Sequence, residues 1–68
     1  MEPANEDQRP EELADELHHE SGLVSAHELA AERVAVAAEA GDQATWAYWS
    51  RVVVRLRALA REEGVTLG

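Results

Sequence analysis

Sixty-eight residues carrying fourteen acids, six arginines and no lysine give a net charge of −8 at neutral pH. A chain of this length makes one small domain and buries only about 60% of its unfolded surface on folding. Cysteine is absent, which excludes disulfides, thiolate metal sites and cysteine nucleophiles.

The apolar share of 46% is lopsided: thirteen alanines, seven valines, seven leucines, two tryptophans, one tyrosine and one methionine, with no isoleucine or phenylalanine. Large apolar side chains are therefore scarce. Small scaffolds make up such a deficit with disulfides, a metal or self-association, and association is the route this composition favours. The acidic balance argues against general binding to phosphate backbones. No apolar stretch is long enough to span a membrane, and Met1-Glu2-Pro3 lacks the basic and apolar regions of a secretion signal. The expectation is a cytoplasmic protein.

Residues 1–9 offer nothing large and apolar after Met1 and read as a disordered acidic tail. From Pro10 to Glu20 the pattern changes. Leu13 and Leu17 lie four apart on one face with Ala14 beside them, Asp7 is placed to cap, Pro10 is tolerated in a first turn, and Glu11 and Glu12 suit the positive end of a helix dipole. A short acidic helix over 10–20 is expected, ended by Ser21-Gly22.

Ser25-Ala26-His27-Glu28 fits a capping box, with Leu23 or Val24 against Leu29 as its hydrophobic staple. It predicts a second helix over 25–40 along Leu29, Ala30, Val34, Ala37 and Ala38. Ala40-Gly41-Asp42 then closes one helix and caps the next, with Gly41 left-handed and Asp42 accepting the N–H of Ala44 or Thr45. Two strongly helical segments that close together fold back as a hairpin.

The last helix is expected over 43–63, about 30 Å long, ended by Gly64 and followed by a tail over 64–68. Trp49, Val52, Val53, Leu56, Leu59 and Ala60 make its apolar face at three-four spacing, and Trp46, Ala47, Tyr48 and Val54 widen it. The run Val52-Val53-Val54 also suits a strand, but Arg51, Arg55, Arg57 and Arg61, paired at four-residue spacing, favour helix. Residues 1–20 carry net −7, residues 21–41 net −2 and residues 42–68 net +1. Electrostatic pairing of the first helix with the Arg rows of the last follows, at about 0–1 kcal/mol for each surface pair.

Chemistry has little to stand on. His18 and His19 point about 100° apart on a helix and do not readily share a metal, and no H-E-x-x-H spacing occurs. Together with His27 they read as part of a solvated acidic face. Ser21, Ser25 and Ser50 are explained by a loop, a cap and a helix surface, and no glycine-rich elbow is present. Acids paired in water, such as Glu11-Glu12 and Glu62-Glu63, have nothing to split their pKa values. No enzyme, no cofactor and no metal is read.

The segment Ala31-Glu32-Arg33-Val34, the turn Ala40-Gly41-Asp42 and the run Trp49-x-x-Val52-Val53-x-Arg55-x-x-x-Leu59 resemble a family of small alphaproteobacterial helical-hairpin proteins without an assigned activity. The resemblance covers about residues 29–59. It implies the hairpin, and polar contacts from Glu32, Arg33 and Arg55 framing a seam around Trp49.

The fold expected is all-α: a two-helix hairpin with a short N-terminal acidic helix, pairing into a four-helix bundle. The first functional expectation is a non-enzymatic interaction module, homodimeric, with Val34, Trp46, Tyr48, Trp49, Val52, Val53, Leu56 and Leu59 at its interface. Trp, Tyr and Arg are the types enriched at interface hot spots. An alternative is an acidic regulator, antitoxin-like or a nucleic-acid mimic, that binds a basic partner through Glu11, Glu12, Asp15 and Glu16. A further alternative is DNA binding through the Arg-bearing last helix.

Overall fold

The structure, a computed structural model, describes residues 8–67. Two helices form a hairpin: α1 (Pro10–Ala40) and α2 (Gln43–Glu63). Pro10 stands in the first turn of α1 with its φ preset, and Glu11 and Glu12 lie where the helix dipole favours negative charge. Arg9 holds the capping position in extended conformation and supplies no side-chain bond. The expected Asp7 cap and most of the expected tail over 1–9 lie outside the described residues.

The segments expected as separate helices over 10–20 and 25–40 belong to one element. Within α1 only Gly22 leaves helical conformation, at φ 84° and ψ 165°. A straight helix of 31 residues would be about 46 Å long, yet the longest extent of the molecule is 33 Å. The contacts of residues 8–18 show where the chain goes. Gln8 meets Tyr48, Glu11 meets Arg51, Asp15 meets Arg55 and His18 meets Glu63. Residues 10–21 thus run alongside α2 in its own direction, whereas residues 23–40 enter α2 through a tight turn and run against it. The chain doubles back at Gly22, giving three rods.

Gly22 is required there by its backbone. A Cβ at this position would meet nothing within 4 Å, so space is not the constraint; a positive φ is. Because one glycine makes the whole reversal, helical conformation resumes at Leu23. Ser25 is then already in helical conformation, past the new start, so it does not hold the non-helical capping position that a box over Ser25 to Glu28 requires. Leu23 enters the core instead of stapling a cap.

The hairpin turn forms as its residues predict. Gly41 is left-handed at φ 71°, its N–H bonds the Ala38 carbonyl at 3.2 Å, and the Asp42 N–H bonds the Ala37 carbonyl at 2.9 Å. This double closure satisfies two carbonyls at the helix end. Asp42 then caps α2, accepting the Thr45 N–H at 3.1 Å and the Thr45 hydroxyl at 2.7 Å. Gly64 closes α2 in the same way, and Leu67 beyond it folds back onto the core.

The core is thin in the manner the composition foretells. Ala14, Leu23, Ala26, Ala30, Val52, Leu56 and Ala60 form it, with Leu13, Leu17, Tyr48, Trp49, Val53 and Leu59 packed around. Leu56 and Val52 are its largest fully enclosed side chains. Alanines at 14, 26 and 30 let the three rods approach closely enough for a single valine and leucine to fill the centre.

Candidate interaction face

The three aromatic side chains of α2 go to three different places, because successive residues on a helix diverge by about 100°. Tyr48 turns to the first rod, where its hydroxyl donates to the Gln8 carbonyl at 3.1 Å. Burial, with the charges of Glu12, Glu16 and Glu11 behind it, pushes the Tyr48 phenol above its ordinary pKa. Trp49 meets the Tyr48 ring edge-on at 5.8 Å and 77°. The Arg33 guanidinium sits 5.9 Å from the Trp49 ring centroid, within cation–π range. Trp46 points outward and is 42% exposed.

The acidic residues of the first rod divide in the same way. Arg51 donates to Glu11 at 3.1 Å and Arg55 to Asp15 at 3.2 Å. Glu11 is held below the ordinary carboxylate range, first by its own backbone N–H and then, opposed by slight desolvation, by the Arg51 charge. Glu12 and Glu16 lie exposed on the outer side and make no ion pair among the described residues. Half of the acidic face expected to greet a basic partner is thus turned onto α2. Two of the four arginines of α2 are neutralised by the same contacts.

Of the residues expected at an interface, Val52 and Leu56 are enclosed by the subunit's own rods and present no surface. Trp49, Leu59 and Tyr48 are half-buried against the core cluster. The reason is the first rod, which covers one side of the hairpin with apolar contacts as well as the expected ion pairs. The other side has no such cover. There a groove runs between α1 and α2, lined by His27, Ala31 and Val34 from one and by Ser50, Val53, Val54 and Arg57 from the other.

Val54, on the rim, is 66% exposed, and Val24, further along α1, is 53% exposed. The His27 Nε2 atom is enclosed in this region without a hydrogen-bond partner. A signal for this face exists in the sequence. Val24, His27, Ala31, Val34 and Ala38 recur at alternating three- and four-residue spacing, one step round α1 from the core stripe of Leu23, Ala26, Ala30 and Ala37. The subunit buries the first stripe; of the second, His27 and Val34 are half-buried at the groove and Val24, Ala31 and Ala38 are exposed.

The histidines are dispersed. His18 lies 3.2 Å from Glu63, His19 is exposed, and His27 lines the groove. Among the described residues no group of three or more His, Cys, Asp or Glu side chains is arranged to hold a metal ion, and no helix is long and apolar enough to cross a membrane. No protein-family model matches the chain, nor does any curated protein or solved structure.

Proposed function

We propose that this chain is a non-enzymatic helical interaction module that works as a homodimer. Two copies lay their open α1/α2 grooves together, so that the two hairpins form a four-helix layer with each acidic first rod on the outside. The observation that carries this reading is the uncovered apolar band beside a core of mostly alanine. Val54, Val24 and Trp46 remain in water although the subunit has already folded a third rod onto its other side. Exposed apolar surface gathered beside a groove is where partners bind, and small residues along α1 permit close helix approach.

The two competing readings lose support from the ion pairs. An acidic capture surface would need Glu11 and Asp15 free, and both are engaged by α2 arginines. A DNA-reading α2 would use Arg51, Arg55, Arg57 and Arg61, and the first two already face acids of the first rod. Sedimentation equilibrium at micromolar concentration tests the proposal: twice the chain mass is expected, whereas a well-folded monomer refutes it.

A further inference from the structure

Resting on the dimer reading, we propose that the second copy is fixed in register by charge, through Glu28 and Glu32 of one copy and Arg57 and Arg61 of the other. The open face is unevenly charged. On α2, Arg57 lines the groove and Arg61 follows one turn later. On α1, Glu28 and Glu32 lie one turn apart just beyond the strip of Val24, Ala31 and Ala35, at the outer rim of the same face. All four side chains are exposed, and none makes an ion pair among the described residues. The subunit thus carries an acidic edge and a basic edge on one apolar face, unconnected with each other.

Such a face complements a rotated copy of itself. His27 and Arg57 line one groove, so Glu28 and Arg57 stand at about the same level along the hairpin. A two-fold axis parallel to the rods preserves levels and lays α1 of each copy against α2 of the other in antiparallel sense. Helical side chains lean toward the N-terminus of their own helix, so the Arg57 guanidinium reaches from the level of Glu28 toward Glu32 of the second copy, and Arg61, one turn further along α2, leans back toward Glu28. Ala31 and Ala35 leave room for the guanidinium groups to reach the rim. The opposite stacking, α1 on α1, would set acids against acids and arginines against arginines.

Two charge-reversed chains test this, Glu28→Arg/Glu32→Arg and Arg57→Glu/Arg61→Glu. Circular dichroism should show both folded, since every substituted side chain is exposed. Alone, each should self-associate about tenfold or more weakly than the natural chain, because like charges then meet at both ends of the face. Mixed in equal amounts they should form a heterodimer at least as readily as the natural chain forms its homodimer, measured by light scattering and native mass spectrometry. Undiminished self-association of either variant, or a mixture that stays monomeric, overturns the register. If the natural chain itself is monomeric, the dimer reading fails first and this inference with it. If the natural chain is a dimer that both variants form equally well, only the register is wrong.

Discussion

The Tyr48 hydroxyl donates a hydrogen bond to the carbonyl of Gln8, forty residues away, and so ties the entry of the first rod to the start of α2. The same offset recurs in Glu11 with Arg51 and in Asp15 with Arg55. Three polar links at a constant spacing hold two parallel rods in one register. They specify which side of the hairpin is covered and therefore which side is left open.

Removing the first link should cost a modest amount. Tyr48→Phe loses one partly buried hydrogen bond and should destabilise the fold by about 0.5–1.5 kcal/mol, read by urea denaturation. The natural chain should also lose stability at high pH. The folded state holds the Tyr48 proton more tightly than the unfolded chain does, so this contribution is intact below about 10, the ordinary tyrosine value, and fades as pH rises through the raised folded value. The phenylalanine variant should show a flatter alkaline limb.

At the acid end the sign reverses. Asp42 is held below its ordinary value by the Thr45 hydroxyl and then by the Thr45 N–H, and Glu11 is lowered as described above. Their stabilisation is present above the ordinary carboxylate range and disappears as pH falls through the lowered folded values. Asp42→Ala should lower the thermal midpoint by about 5 °C near neutral pH through loss of the cap, and by much less at about pH 2.

The reversal at Gly22 should be the least replaceable point in the backbone. Gly22→Ala meets no steric neighbour, so its whole effect comes from the positive φ, and a cost of about 1–3 kcal/mol is expected. Because the two arms of α1 would resist doubling back, hydrogen exchange should accelerate over residues 10–21 more than over α2.

Two substitutions on α2 should part company. Leu56→Ala opens a hole where the largest enclosed side chain of the core stands and should cost about 2–5 kcal/mol, a large share of the stability of so small a domain. Val54→Asp lies on the open face and should leave the thermal stability of the monomer within about 0.5 kcal/mol while abolishing self-association. A Val54→Asp chain that melts like Leu56→Ala would show that Val54 is structural.

Much of this fold was readable because its punctuation is local. Gly41 and Asp42 close and cap within a few residues of each other, Gly64 ends α2, and Pro10 with two following acids opens α1. The pairing of the acidic first segment with the arginines of α2 was legible as a charge imbalance. What could not be read was geometry that depends on one dihedral. Ser21-Gly22 announces a break, but whether the chain bends slightly or doubles back rests on the φ of Gly22, which neighbouring residues do not encode. The Ser25–Glu28 pattern matches a capping box yet lies past the helix start, because the backbone of Gly22 sets that start at Leu23 and leaves Ser25 in helical conformation. Which apolar residues the subunit encloses was only half legible for the same reason. Val52 and Leu56 belong to a strong apolar stripe, and without knowing that the first rod folds over them, that stripe looks like a surface awaiting a partner.

The most direct measurement is the mass of the natural chain in solution by sedimentation equilibrium, across a range of concentrations and with Val54→Asp run beside it. The expected result is a reversible association to twice the 7.5 kDa chain mass, lost in the variant. A natural chain that stays at the single-chain mass throughout, folded and with a sharp melting transition, would contradict it.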